Sequence, residues 1–562
     1  AVSALSVPGR IAVSGRVRRR ISFASIALWG LGAGVAVAML LPAAYLVVRS
    51  LDGPPEQFLR TLLRPVVARY LVNTLGLAGV TTFFACIIGV IGGWLTARAD
   101  VPGAKVWTVL LSLPLAVPSY IGGYAYLAAF GPKTWIGLTL LEPLGLTVRE
   151  SFWGAALLLT SLTYPYVLLP VRAQLSGMDP SLLEVARSLG LGPRETFIRV
   201  LLPLLRPAVM AGGLLVALYV ISDFGAVAML EFRSFTYVIF LEQESLFNRQ
   251  RAAILSLLLV VLTLAILSAE ILLRNRGRVE KRGVRTLTSR PRFPLGPWKG
   301  PALVFCGIVV TLGLVVPAGT VGYWFVKGLG DPTLDLSWVW KSTWDSVWAS
   351  VLAAVASALA AIPVALLSVR RAGKASLLVE RSTYTGFALP GIVVALALVY
   401  FSLFFPRQVA SLGMALGLSA QSAQKWSGFV DYYQTLPVLI FAYVVLFLPQ
   451  AVGSTRASLL QVPPNLEEAG RSLGRSVRNV FRTITLPLVF PGVLSGAALV
   501  FLTTMKELPA TLLLSPIGFR PLAAMVFDRM EDAFFAEAAA PALILLLFSM
   551  LAMTLIVRRE DS

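Results

Sequence analysis

The 562-residue sequence predicts an all-α polytopic membrane protein whose twelve transmembrane helices form two pseudo-symmetric six-span halves. Three observations predict it: twelve apolar stretches of bilayer-crossing length, basic residues gathered in alternate loops, and a gapless internal repeat at an offset of 284 residues. Composition sets the class before any motif is read. Hydrophobic residues make up 57% of the chain and charged ones 14%, whereas soluble domains carry roughly 25% charged residues. The chain has no histidine, which removes His-based triads, HExxH sites and imidazole metal centres. Its two cysteines, Cys86 and Cys306, sit in apolar stretches without a CxxC partner, so neither a zinc ribbon nor a disulfide framework is available.

A helix needs about 20 apolar residues to cross the hydrocarbon core. In the first half such stretches cover residues 21–48, 70–97, 106–132, 151–171, 207–230 and 252–273. In the second they cover 300–326, 346–369, 382–406, 432–455, 483–505 and 538–557. The first follows Arg16, Arg18, Arg19 and Arg20 like a secretory leader, but its apolar run is too long for one and reads as a retained anchor. Residues 408–424 are apolar but short and rich in Ser, Ala and Gln, and read as an interfacial or re-entrant segment. With both termini cytoplasmic, the inner loops hold 32 of the 48 basic residues and the outer loops 16, the asymmetry that orients membrane proteins. The net charge of +20 is thereby spread over loops facing lipid and cytosol, and no basic domain is left for nucleic acid.

The repeat pairs residues 184–207 with 468–491. Identical positions include Glu184/Glu468, Gly190/Gly474, Leu202/Leu486, Pro203/Pro487 and Pro207/Pro491, and Asp223/Glu507 fall at the same offset. Each copy lies between the fourth and fifth span of its half. An even number of spans per half makes the halves parallel repeats about an axis along the membrane normal. Residues 1–273 and 300–562 are therefore read as two six-span halves, joined by a cytoplasmic linker, 274–299, with nine basic residues and one acidic. Within each copy a short helix ends at Gly190 or Gly474, since glycine accepts the left-handed conformation past a helix end. A second short helix follows, and the prolines are expected in the first turn of the fifth span. The product is a cytoplasmic knuckle on each half, suited to two equivalent sockets on a two-fold partner.

These segments resemble the EAA loop of ABC-importer permeases, where Glu-Ala-Ala, a glycine six residues after the Glu, and a later Leu-Pro hold fixed spacing. Glu184, Ala186, Gly190, Leu202 and Pro203 fill motif positions in one copy; Glu468, Ala469, Gly474, Ile484, Leu486 and Pro487 do so in the other. Val185, Gly470 and Val200 depart mildly from it. The resemblance covers nearly the whole chain and implies the type I importer (MetI-like) fold, in a bacterial inner membrane, with knuckles docked on a homodimeric ATPase. The sequence contains no GxxxxGK[ST] phosphate loop, so ATP and Mg are expected on that separate subunit, with no cofactor and no catalysis in this chain. Residues 222–227, 505–512 and 534–539 further resemble fused ferric-iron permeases, which receive Fe(III) from a periplasmic or lipid-anchored binding protein. Fused thiamine and aminoethylphosphonate permeases are the near alternatives. A proton- or sodium-driven secondary transporter also has six-plus-six repeats but needs no twin knuckles.

Asp223 and Glu507 stand at membrane depth, where ionised groups are costly and usually functional. Two readings stand side by side: oxygen donors facing a central translocation pathway, or structural carboxylates, Asp223 capping a helix before Gly225 and Glu507 pairing with Lys506. No metal site is assigned. Tyr124, Tyr126, Tyr164 and Tyr219 read as packing groups, and Pro114, Pro118, Pro165, Pro170, Pro390 and Pro449 as static bends.

Overall fold

The computed structural model describes residues 23–51, 54–132, 134–145, 147–178, 185–186, 188–244, 249–275, 293–332, 335–371, 373–419, 421–422, 425 and 433–561. Among these, eleven helices are long and apolar enough to cross a membrane, and a bent pair brings the number to twelve. In the first half they are α1 Ile26–Ser50, α2 Pro65–Ala97, α3 Ala104–Ala116 with Ser119–Phe130, α4 Phe152–Ser176, α5 Phe197–Ser222 and α6 Gln250–Ser268. In the second they are α7 Gly296–Leu329, α8 Ser337–Arg370, α9 Gly391–Ala415, α10 Leu436–Gln461, α11 Val477–Met505 and α12 Phe535–Leu555. The described residues contain no β-strand, only an isolated bridge between Ala99 and Phe293.

Proline decides where the third span of each half turns. The pieces of α3 meet at 98°, because Pro118 drives Val117 into an extended conformation at ψ 120°. Pro390 does the same to Leu389, at ψ 115°, between the short helices Lys374–Thr383 and Thr385–Ala388 and the start of α9. The ninth span therefore begins at Gly391, later than the expected 382, and runs on to Ala415. Residues 408–415 thus belong to α9 and are not a separate interfacial segment. A glycine ends the helix: Gly417 is left-handed (φ 87°), and the Leu418 N–H reaches back 3.0 Å to the Gly413 carbonyl.

The fifth spans also differ from expectation. Instead of one helix over 207–230, α5 starts at Phe197 and stops at Ser222. A short helix Gly225–Met229 and another, Phe235–Glu244, follow before α6. The second half repeats this with Pro509–Leu514 and Leu522–Glu531 after α11. Pro203 and Pro487 stand in the first turn of the α-helical stretches Leu202–Ser222 and Leu486–Met505, as expected, and Pro207 and Pro491 lie inside them. In each copy a five-residue π-turn, Phe197–Leu201 or Phe481–Thr485, precedes them. A widened turn removes the clash that a proline ring makes with the carbonyl four residues before it.

The halves are interlocked by their first helices. Span α1 packs on α8 and α9 of the second half. Tyr45 meets Phe401 edge-on at 5.6 Å, and the Arg49 guanidinium lies 4.4 Å from the centre of the Phe404 ring. Reciprocally, α7 packs on α3 and α4. The Tyr126 hydroxyl donates to the Leu312 carbonyl at 3.2 Å, and a Cβ on Gly313 would stand 2.6 Å from the Ser161 carbonyl oxygen.

The linker's described end is fixed. Phe293 exchanges backbone hydrogen bonds with Arg98 and Asp100, and Asp100 pairs with Lys299 at 2.8 Å while accepting the Leu295 N–H at 2.7 Å. The Lys299 ammonium and that N–H hold the Asp100 carboxyl below the usual carboxylate range. Residues 276–292 of the linker lie outside the described residues.

Candidate coupling site and the capped carboxylates

The second knuckle is the fully described one. Helix Pro464–Ser472 begins after Pro463, whose extended backbone and absent N–H suit an entry from α10. It ends at Gly474 (φ 80°), where the Arg475 N–H donates to the Gly470 carbonyl at 3.2 Å. Ser476 then caps the next helix by accepting the Asn479 N–H. Glu468 and Ala469 are exposed, whereas Gly470 is buried against that second helix. A Cβ on Gly470 would lie 2.9 Å from the Ile484 side chain and 3.1 Å from that of Val480. Small size at this position sets how tightly the elbow closes. Leu486 is half-buried and Pro487 exposed at the base.

The first knuckle repeats this geometry where it is described. Gly190 is left-handed (φ 78°), and the Leu191 N–H donates to the Ala186 carbonyl at 3.1 Å. Ala186 is buried, and Leu202 and Pro203 are exposed at the base of α5. Glu184 lies outside the described residues. At the repeat offset the counterpart of Ala186 is Gly470, and that of Ala469 is Val185. The buried small residue is therefore the 186/470 pair, and the exposed pair is 185/469. Both tips present leucine to solvent, Leu189 at 74% and Leu473 at 82% exposure. Each elbow thus carries an exposed apolar side chain at the same place.

Sequence reasoning missed Glu467. It is 8% exposed, pairs with Arg370 at 3.0 Å and accepts the Thr485 hydroxyl at 3.2 Å. Helical spacing was the available signal, since Glu467 and Gly470, three residues apart, share the inward face while Glu468 does not.

The carboxylates occupy matching corners at the ends of α5 and α11. Asp223 accepts the Ala226 N–H at 2.9 Å, with Ser119 and Tyr219 beside it. It thereby caps Gly225–Met229. Glu507 accepts the Ala510 and Thr511 N–H groups and the Thr511 hydroxyl, all at 3.1 Å, and caps Pro509–Leu514. Its hydrogen bonds go to its own helix and not to Lys506. Among the described residues no group of three or more Cys, Asp or Glu could hold a metal ion.

Eleven apolar helices and one bent pair, in two matching halves that each carry a glycine-turned elbow, have the architecture of a membrane permease. The chain belongs to the binding-protein-dependent transport system inner membrane component family, whose pattern it matches twice, at residues 88–276 and 355–560. It has the MetI-like fold of type I ABC importers. It is 33% identical over 519 residues to the Fe(3+)-transport system permease protein FbpB 2 of Haemophilus influenzae, covering 92% of this chain and 94% of that one. Shorter relatives align with about a third of it. A probable sulfate transport system permease protein cysT of Nephroselmis olivacea is 28% identical over 34% of this chain and 68% of its own length. The molybdenum transport system permease protein ModB of Escherichia coli K12 is 31% identical over 27% of this chain and 67% of its own length.

Proposed function

We propose that this chain is the fused permease of an ABC importer that carries ferric iron across the bacterial inner membrane. A periplasmic or lipid-anchored Fe(III)-binding protein delivers the cargo to the outer loops. A homodimeric ATPase, binding ATP and Mg, docks on the knuckles at Glu184, Ala186, Gly190, Leu202 and Pro203 and at Glu468, Ala469, Gly474, Ile484, Leu486 and Pro487. The chain itself has no cofactor and no catalytic role, and both termini face the cytosol. The observation that carries the reading is the pair of elbows with the same glycine-terminated geometry, an even number of spans apart, each exposing a leucine. The full-length likeness to an Fe(3+) permease supports the cargo.

Each ATPase subunit takes one elbow, and closure of the dimer on ATP draws the elbows together. The second helix of each elbow runs without interruption into α5 or α11, so the movement reaches the corners at Asp223 and Glu507. These corners bound the translocation pathway, and the capped carboxylates hold its outer end in shape. Rigid-body rocking of the halves gives alternating access. Reconstituted importer tests the cargo: iron-loaded binding protein stimulates ATP hydrolysis, while thiamine- and phosphonate-loaded ones do not. Equal stimulation by an organic cargo would replace iron, and undiminished uptake in vesicles without any ATPase would favour an ion-coupled transporter.

A further inference from the structure

Two arginines 272 residues apart hold the entries to the two knuckles. Arg98 closes α2 and Arg370 closes α8. Arg98 is 1% exposed; its Nε donates to the Leu175 carbonyl at 3.1 Å and an Nη to the Met178 carbonyl at 2.8 Å. Arg370 donates an Nη to the Val462 carbonyl at 2.9 Å and its Nε to Glu467 at 3.0 Å. Met178 and Val462 are counterparts at the repeat offset, and each is where the chain leaves α4 or α10 for its knuckle. The last carbonyls of a helix lack internal partners and carry the negative end of its dipole. A guanidinium fork serves two acceptors at once, two carbonyls for Arg98 and a carbonyl with a carboxylate for Arg370, which an ammonium on a flexible stem does not.

We propose that Arg98 and Arg370 are paired positioning residues that transmit knuckle displacement into α2 and α8. The inference rests on the reading of the knuckles as ATPase docking points. The two latches are built differently. The second grips the knuckle helix itself, because Glu467 is held between Arg370 and Thr485; the first half has Leu183 and Leu201 at the matching positions. The first grips only backbone, but the Arg98 carbonyl accepts the Phe293 N–H at 2.7 Å and neighbouring Asp100 pairs with Lys299. Movement at the first knuckle is thus passed to the start of α7, which packs on α3 and α4.

The test uses the whole importer, permease with ATPase and binding protein, in liposomes supplied with iron-loaded binding protein. Arg370→Gln, Arg370→Lys and the milder Arg98→Lys are compared for retained ATPase subunit, stimulated hydrolysis and iron taken up per ATP. Arg370→Gln is expected to keep its ATPase subunit and its hydrolysis while uptake per ATP falls roughly 3- to 10-fold. Arg98→Lys and Arg370→Lys fall less, since one of two donor contacts survives. Unchanged uptake per ATP in Arg370→Gln and Arg98→Lys overturns the proposal, as does a parallel loss of ATPase subunit and uptake, which would assign the arginines to packing alone. Leu473→Asp is run alongside: retention of the ATPase there defeats the docking reading whatever the arginines do.

Discussion

The corner at Asp223 and the corner at Glu507 are the same structure made from different side chains. Asp223 is short, reaches one helix N–H and has Ser119 and Tyr219 beside it. Glu507 is longer by one methylene and reaches its own helix with both oxygens. Room for that methylene comes from Gly391, which begins α9 as Ser119 begins the second piece of α3; a Cβ there would stand 2.9 Å from Glu507 Oε1. The first half carries serine and aspartate, the second glycine and glutamate. What the duplication preserves is the volume and the capped amide, not the residue.

The comparison can be broken outright at the elbows. Gly470→Val forces branched carbons into Ile484 and Val480, and overpacking of this kind costs about 1–3 kcal/mol. Co-purification should show loss of the ATPase subunit, while Ala186→Gly at the equivalent position should retain it and cost only about 1 kcal/mol in thermal unfolding. The corners come next. Glu507→Ala leaves two buried N–H groups without their cap, at about 1–2 kcal/mol. Gly391→Ser alone should destabilise by crowding Glu507, and combining it with Glu507→Asp should recover part of the loss, with a coupling of about 0.5–3 kcal/mol in thermal unfolding. Strict additivity would mean that the two positions do not share one volume.

The smallest effect concerns the linker's anchored end. The folded Asp100 carboxyl sits below its unfolded value, so its stabilising contribution is present above the ordinary carboxylate pKa of about 4. It fades as pH falls below that value and is gone once pH passes the depressed folded value. Limited proteolysis within 276–292 should therefore quicken at low pH, and Asp100→Asn should show the quick rate at neutral pH. An unchanged digestion pattern in the variant would remove this tie from the account.

Span number and the glycine turns of the knuckles were legible because they depend on local quantities, apolar length and the spacing of glycine and proline. The end of α11 at Met505 was legible too, but the break after α5 was not, because Ala226, Val227, Ala228 and Met229 are as apolar as a continuing span. The signal was the carboxylate itself: an Asp three residues before a helical N–H is a cap as readily as a pathway group. Asp223 and Glu507 were found, but their surroundings depended on Ser119 and Gly391, over a hundred residues away in sequence. The motif likewise drew attention to Glu468, which faces solvent, and away from Glu467, whose partner Arg370 is 97 residues distant. The gapless repeat sets Ala186 against Gly470, and the structure buries both.

Docking of both elbows on one ATPase dimer is tested most directly by crosslinking. Leu189→Cys and Leu473→Cys, each in a background with Cys86 and Cys306 replaced, would be oxidised against cysteines in the ATPase groove in inside-out vesicles. Both positions should crosslink, each to a different ATPase subunit, with ATP altering the yield at both. Crosslinking at neither position, or labelling of either cysteine by an impermeant reagent applied only from the periplasmic side, would contradict the account.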